Sequence, residues 1–231
     1  IDPARISVTG QPVLPDFAAR AAAGHAMRTK LGLDQALPTV LMMGGGDGMG
    51  RMVDTALAIG ASGLPLQLVV ACGRNEHARA TLSQANAATP IHAIGFTDRV
   101  PEYMGAADVL VTKAGPGAIC EAFVAGLPIV LYDAVPGQES GNVDLVVSSG
   151  AGVWRPQPAS VVDQLRAWIA DPAARNHAAQ ASSAQARPDA ALNVARLVAD
   201  YALRFTQPGV VSTQPQAAAG PASSWGRTSA N

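Results

Sequence analysis

Short apolar runs recur along the chain, separated by stretches with helical spacing. The runs are rich in Val, Ile and Leu and are apolar on both faces, which is typical of strands in a parallel sheet covered on both sides. They occupy residues 39–43, 66–71, 91–94, 109–112, 129–132 and 152–154. We therefore predict about six parallel strands.

Helical patterns fill the intervals between the runs. Met49, Met52, Val53, Ala56 and Leu57 follow the i, i+3, i+4, i+7, i+8 spacing of one buried helix face. Strand–helix alternation of this kind predicts an α/β fold with a Rossmann-like, doubly wound parallel sheet. Further helices are predicted at 17–31, at 161–170 with Ser160 as its cap, from Pro172 onward, and at 189–205.

These patterns divide the chain into four parts. Residues 1–16 contain Gly10, Pro12 and Pro15 and are predicted to form an interdomain linker. We predict that residues 17–188 form the main, Rossmann-like domain and that residues 189–205 form a C-terminal helix. Residues 206–231 are rich in Pro, Gly, Ser, Ala and Gln, a composition that predicts a disordered tail.

Composition narrows the function classes. Apolar residues make up 48% of the chain and aromatic residues 4%, so the core must be largely aliphatic. The net charge of −1 argues against a nucleic-acid partner. Cys72 and Cys120 have no paired spacing, which favours a reduced compartment, and the four histidines lack ligand spacing, so no metal site is predicted. No apolar run approaches the ~18–20 residues that span a bilayer.

The first candidate motif is the segment Gly44 to Gly50, directly after the strand 39–43. Five glycines in seven residues allow backbone N–H groups to approach an anion at the start of the next helix. No Gly-Lys-Ser/Thr follows, so the segment is not a P-loop of the Walker type. The alternative is a tight turn that needs positive φ, but five glycines exceed that need.

The second motif runs from Lys113 through Ala114, Gly115, Pro116 and Gly117 to Glu121. It follows the strand 109–112 and opens a helix that should end near Gly126. A carboxylate at Glu121 can accept two hydrogen bonds from a vicinal diol such as ribose. Interaction of Glu121 with its own helix dipole is an equally good explanation of the residue alone.

Two more strand exits carry candidate chemistry. The first has Gln138, Glu139 and Asn142, which offer donors and acceptors to a polyhydroxylated ligand, although a solvated loop would also contain them. The second has Gly95 and Phe96, where the ring could pack against a flat base or equally into the core. The carboxyl ends of parallel strands share one sheet edge, so these loops are predicted to form one crevice.

The strings MMGGGDGMG (42–50), ACGRN (71–75) and IGFTDRVPEYMGAADVLVTKAGPGAICEAFVAGLPIVLYDAVPGQESGN (94–142) carry a family resemblance. They resemble the C-terminal domain of glycosyltransferase family 28, and within that family the monogalactosyldiacylglycerol synthases. The similarity covers about residues 8–205, and TKAGPG…E and PGQExGN are its specific parts. It implies the C-terminal half of a GT-B glycosyltransferase, which holds a UDP-sugar donor.

The resemblance also implies roles for individual residues. The backbone at Gly95 and Phe96 would hold uracil, and Glu121 would bind the ribose hydroxyls. Gln138 and Glu139 would hold the sugar, and Asn142 would support their loop. Arg74 lies in the second matching string and counts with the donor-binding residues. The diphosphate would face Gly46, Asp47, Gly48, Met49, Gly50, Ala114, Gly115, Pro116 and Gly117, with Lys113 beside them.

As a whole protein, such an enzyme would move a hexose, with galactose favoured, to a diacylglycerol-type lipid with inversion and without a tightly held metal or cofactor. Only about fifteen residues precede the first helix, so we expect the half carrying the acceptor site and catalytic base to be absent and this chain alone to be inactive. The full-length protein is expected to be cytoplasmic and peripheral to the cytoplasmic membrane.

Three other functions compete with this one. UDP-glucose or UDP-N-acetylglucosamine could replace UDP-galactose, and the chain could be a non-catalytic nucleotide-binding remnant. A nicotinamide-dependent oxidoreductase would need an acidic residue at the end of the second strand. The chain has Ala71-Cys72-Gly73-Arg74 there, which argues against that function.

Overall fold

The computed structural model describes residues 2–3, 6–44 and 51–206. Within them, six parallel strands form one sheet in the order β3-β2-β1-β4-β5-β6. The strands are β1 Thr39–Met43, β2 Gln67–Ala71, β3 Ile91–Ile94, β4 Val109–Lys113, β5 Ile129–Asp133 and β6 Gly152–Trp154. The predicted doubly wound parallel sheet is confirmed, and each strand boundary lies within one residue of the predicted one.

Helices connect the strands and cover both faces of the sheet. They are α1 Phe17–Ala21, α2 Met27–Lys30, α3 Met52–Ala61, α4 Glu76–Ser83, α5 Val100–Ala106, α6 Pro116–Ala125, α7 Ser140–Ser148, α8 Pro158–Ala170, α9 Pro172–Ala184 and α10 Ala190–Thr206. A 3₁₀ turn at Gly24–Ala26 lies between α1 and α2.

Two apolar layers sandwich the sheet. The first contains Met52, Ile59 and Leu82 from α3 and α4, together with Leu165 and Trp168 from α8. The second contains Phe17, Met104, Ile119, Phe123 and Val146 from α1, α5, α6 and α7. β1, β2, β4 and β5 are buried at every position except the last, because each is covered on both faces.

Two helix predictions were wrong. The predicted helix 17–31 is broken into α1, the 3₁₀ turn and α2, and Gly24 has a φ of +57° at the break. Ser160 does not precede its helix, because α8 begins at Pro158. Gln157 is the N-cap residue, and its backbone N–H donates to the Ser160 hydroxyl at 3.3 Å.

A buried ion pair holds α2 against the starts of β1 and β4. The Arg28 side chain is 5% exposed, and its Nη2 lies 2.6 Å from Asp108 Oδ2. Arg28 also donates to the carbonyls of Ala106 and Leu37, at 2.9 and 3.2 Å. The same Asp108 oxygen accepts from the backbone N–H of Thr39 at 2.7 Å. One guanidinium therefore joins three separate chain segments.

Residues up to Val194 form one compact unit, and the described part of the remainder, 195–206, is the end of α10. The predicted tail lies outside the described residues from 207 onward. The fold positions the carboxyl ends of all six strands at one edge. No helix in the described ranges is both long and apolar enough to cross a membrane.

Candidate functional site

The direction in which the chain adds strands to the sheet reverses between β1 and β4. From β1 the chain moves outward to β2 and β3, then returns to place β4 on the other side of β1 and continues to β5 and β6. Connections from the two strands at such a reversal leave toward opposite faces, which opens a crevice at their carboxyl ends where ligands bind in α/β folds. The predicted site residues follow the strands that surround this reversal.

One group of predicted residues comes together where β4 and β5 end. The Lys113 ammonium lies 3.5 Å from Glu139 Oε1, and the side chain of Asn142 donates to the carbonyl of Ala114 at 2.8 Å. These two contacts tie the loop after β5 to the loop after β4. We call Lys113, Ala114, Glu139 and Asn142 the lysine–glutamate cluster.

Glu139 uses one carboxylate oxygen to shape its own loop. Its Oε2 accepts from the backbone N–H of Val135 at 2.8 Å, and the residue is only 5% exposed. Oε1 faces Lys113 and the Cα of Gly115, where an added Cβ would lie 3.8 Å away. Gln138 is exposed beside it. The loop therefore directs one buried carboxylate oxygen of Glu139 toward the end of β4 and carries one exposed amide, that of Gln138.

The start of α6 lies directly beside the lysine–glutamate cluster. Gly115 precedes the helix in an extended conformation, and Pro116 occupies the first turn, where its missing N–H costs no hydrogen bond. Among the described residues, no atom outside the neighbouring backbone lies within 4 Å of the Cβ position of Gly117. The open helix terminus and the Lys113 ammonium together provide a positive end suited to an anion.

A second group lies across β1, where β2 and β3 end. Phe96 is 69% exposed, so the core-packing interpretation of this residue was wrong. The Arg74 guanidinium carbon lies 5.2 Å from the Phe96 ring centroid, within cation–π range. A cavity of about 170 Å³ opens beside this pair, and we call it the Phe96 cavity. It is lined by Met43, Ala71, Gly73, Gly95, Phe96, Thr97 and Val100.

Glu121 lies on α6, in the second turn, as predicted. It is half-buried, and burial raises the pKa of its carboxyl above the ordinary value. No hydrogen bond or ion pair from this carboxylate to another described residue is present. A half-buried carboxylate that lacks a protein partner is a suitable acceptor for ligand hydroxyls.

Tyr132, the next-to-last residue of β5, was not among the predicted site residues. The side chain is 1% exposed, and its hydroxyl has no hydrogen-bond partner within the described structure. It lies 3.3 Å from the position that a Cβ on Gly44 would take. Burial, followed by the Asp133 charge, raises the pKa of this phenol. A tyrosine inside an apolar strand carries no sequence signal that separates it from ordinary core.

We expect Tyr132→Phe to stabilise the chain by about 1 kcal/mol, because an unsatisfied buried hydroxyl costs ~1–3 kcal/mol. Urea denaturation measures the effect as a higher midpoint with an unchanged slope. Tyr103→Phe, at a half-buried position, serves as the control and should change little. A lower midpoint for Tyr132→Phe would mean that the hydroxyl has a partner in solution.

Gly46, Asp47, Gly48, Met49 and Gly50 lie outside the described residues. In the described ranges no three His, Cys, Asp or Glu side chains are grouped so that they could hold a metal. The structure thus brings Lys113, Ala114, Glu139 and Asn142 together, brings Arg74 and Phe96 together, and leaves Glu121 apart on α6.

Together, the strand order and the polar loops at one sheet edge define a Rossmann-like domain with a ligand crevice, a fold shared with GT-B glycosyltransferases of known structure. The chain belongs to glycosyltransferase family 28, because the model of the family's C-terminal domain matches residues 39–198. The family expected from the motifs is confirmed.

Curated relatives match over most of this chain. The chloroplastic monogalactosyldiacylglycerol synthase of Spinacia oleracea is 39% identical over 203 residues, which cover 84% of this chain and 39% of that protein. Monogalactosyldiacylglycerol synthase 3 of Arabidopsis thaliana is 42% identical over 178 residues, 74% of this chain and 38% of that protein. The chain therefore spans about two-fifths of the length of these relatives.

Solved structures share the fold at lower identity. MurG of Acinetobacter baumannii aligns with a TM-score of 0.57 and 19% identity, over 78% of this chain and 55% of that one. HepE of Anabaena, solved in complex with UDP-glucose, aligns with a TM-score of 0.57 and 17% identity, over 83% and 54%. These likenesses support the fold assignment alone.

Proposed function

We propose that this chain is the donor-binding domain of an inverting glycosyltransferase that moves galactose from a UDP-sugar to a diacylglycerol-type lipid. The observation that carries the proposal is the pair of ligand-suited groups on either side of β1, the Phe96 cavity and the lysine–glutamate cluster. The two lie at the carboxyl edge of a family 28 domain, where an extended nucleotide-sugar would cross the sheet reversal.

The nucleoside half of the donor would occupy the β2–β3 side. Uracil would enter the Phe96 cavity, with the backbone at Gly95 reading its edge and the exposed Phe96 ring covering it. Arg74 would keep the ring in place through its cation–π contact. Glu121 would accept hydrogen bonds from the two ribose hydroxyls, the groups its unpartnered carboxylate lacks.

The diphosphate and sugar would occupy the β4–β5 side. Gly46 to Gly50 and Ala114 to Gly117 would face the diphosphate, with the start of α6 and Lys113 offsetting its charge. Gln138 and Glu139 Oε1 would hold the hexose hydroxyls. Asn142 would act on the ligand indirectly, because its bond to the Ala114 carbonyl fixes the distance between the two loops.

These groups would bind the leaving UDP, and they supply the electrostatic stabilisation that the departing diphosphate needs without a metal ion. The general base that takes the acceptor proton, the lipid site and the membrane contact would belong to another part of the full-length protein. We place that protein on the cytoplasmic face of the membrane, peripherally bound.

Titration calorimetry with UDP, UDP-galactose, UDP-glucose and UDP-N-acetylglucosamine tests this proposal. We expect UDP to bind and UDP-galactose to bind more tightly than the other two sugars. Gln138→Ala should reduce UDP-galactose affinity by roughly tenfold, because about one hydrogen bond to the hexose is lost, while UDP affinity stays unchanged. If UDP-glucose binds best, the hexose assignment is wrong. If UDP does not bind at all, the chain is a non-binding remnant.

A further inference from the structure

A second cavity lies on the far side of the loop that carries Gln138 and Glu139. Its volume is about 300 Å³, at the lower end of the ~300–1,000 Å³ range of small-molecule pockets. It opens where β5 and β6 end, against the first turns of α7. Its walls are Ala134, Pro136, Ser140, Val143, Asp144 and Trp154, and we call it the Trp154 cavity.

Among the described residues that line this cavity, the two polar ones share one wall. Ser140 and Asp144 are four residues apart on α7, so their side chains lie on the same helix face. The Ser140 oxygen accepts from the Gly137 N–H at 3.2 Å, which leaves its O–H free to donate elsewhere. Asp144 is exposed and forms no ion pair with any described residue. The wall thus offers one hydroxyl and one carboxylate.

The remaining lining is apolar and includes one aromatic ring. Trp154 ends β6, is partly exposed, and packs with its buried part against the second apolar layer. Pro136 and Val143 complete the apolar surface. Because the ring is anchored in the core, its orientation at the cavity is fixed without further ordering when a ligand binds.

The chemistry of the lining selects among ligand classes. A phosphate or other anion is disfavoured, because Asp144 is negative and none of the described residues that line the cavity is a lysine or arginine. A lipid tail is disfavoured, because it would leave Ser140 and Asp144 without polar partners. A sugar ring has apolar C–H faces and a rim of hydroxyls, and these match a fixed indole beside a carboxylate and a hydroxyl.

The loop after β5 lies between the Trp154 cavity and the lysine–glutamate cluster. Glu139 Oε1 points to Lys113 and Gly115 on the β4 side, whereas Ser140 and Asp144 line the cavity on the β6 side. We propose that the Trp154 cavity binds a hexopyranosyl group distinct from the hexose of the donor. This proposal goes beyond the donor site and does not depend on it.

Saturation-transfer NMR with methyl β-galactopyranoside tests the proposal on this chain. A ligand of that size should bind with a dissociation constant on the order of millimolar. Saturating UDP should leave the binding unchanged. Asp144→Asn and Trp154→Ala should each weaken glycoside binding at least tenfold, while calorimetry shows unaltered UDP affinity.

Two control variants separate loss of the site from loss of the fold. Trp154→Phe keeps an aromatic ring in the core and should retain part of the binding. Asp163→Asn changes an exposed carboxylate on α8 and should have no effect. Displacement of the glycoside by UDP, or equal binding in Asp144→Asn and the unaltered chain, would overturn the proposal. Failure of UDP to bind would affect only the donor assignment.

Discussion

Glu121→Gln is expected to weaken UDP binding by about 10- to 100-fold, the loss that removing one or two charge-assisted hydrogen bonds produces. The substitution keeps the size of the side chain but replaces a charged double acceptor by an amide that can accept through one oxygen only. Since the carboxylate is half-buried, water can replace the lost ribose contacts only in part. Titration calorimetry at neutral pH measures the change directly.

The pH dependence of binding gives the prediction a second readout. Burial raises the pKa of Glu121 in the free chain. Hydroxyls that donate to the carboxylate favour its charged form, so ligand binding should lower that pKa. UDP affinity should therefore fall as the pH drops through the raised pKa, and the Glu121→Gln variant should lose this pH dependence.

The raised pKa of Glu121 also makes the stability of the chain depend on pH. Glu121 contributes to folding stability below its ordinary pKa, and this contribution is lost as the pH rises through the raised pKa. Glu121→Gln should thus be no less stable than the unaltered chain at neutral pH.

A ligand without the two ribose hydroxyls separates the proposed contact from a general effect on the site. The 2′,3′-dideoxy analogue of UDP should bind the unaltered chain and Glu121→Gln with equal affinity, which closes a double-mutant cycle. Asp163→Asn, which removes an exposed carboxylate on α8, should leave UDP affinity unchanged. If Glu121→Gln loses the same affinity for UDP as for the dideoxy analogue, Glu121 does not bind the ribose hydroxyls.

The sheet could be predicted because its signal is local. β1, β3 and β6 begin and end where the apolar runs do, and β4 and β5 extend by one residue, to Lys113 and Asp133. Each of these added residues is polar, and apolar pattern alone ends a strand before such a residue. The strand order was not predicted, because apolar runs and helical spacing do not indicate on which side of β1 each later strand is added.

The segment between residues 17 and 31 shows where local pattern fails. Its spacing is helical, yet the helix breaks at Gly24 and restarts as α2. Arg28 then lies buried, held by Asp108 eighty residues later in the chain. Helical spacing contains no information about a partner so distant in sequence. Tertiary contacts of this kind can override the local preference for one continuous helix.

For the candidate site as well, local sequence pattern predicted the loops but not the contacts of their side chains. Strand exits and glycine-rich turns identified the loops that meet at the lysine–glutamate cluster. The sequence could not indicate that Val135 uses one oxygen of Glu139, or that Phe96 is exposed with Arg74 beside it. These properties depend on side-chain directions set by packing. The Trp154 cavity depends on them too, because it forms between a strand end and a helix face.

The largest stability effect is expected at Arg28. Arg28→Met should destabilise the chain by ~3–5 kcal/mol, the usual cost of removing one partner from a buried ion pair. Methionine fills much of the space of the arginine stem but leaves the Asp108 carboxylate, 13% exposed, without its main counter-charge. It also removes the Arg28 hydrogen bond to the Ala106 carbonyl, and it leaves the Leu37 carbonyl with the longer hydrogen bond from Gln67 Nε2 at 3.4 Å. Urea denaturation measures the loss, provided that the transition is two-state.

The double variant Arg28→Met/Asp108→Asn tests the physical reason for this effect. Asparagine is neutral and can still accept the hydrogen bond from the Thr39 N–H, which Asp108 accepts at 2.7 Å. If an unpaired buried charge causes the loss, the double variant should be more stable than Arg28→Met alone. If lost packing causes it, the double variant should be no better. The exposed pair Arg166–Asp163 provides the comparison, because removing it should change stability by less than about 1 kcal/mol. A similar small effect at Arg28 would show that α2 contributes little to holding the starts of β1 and β4 together.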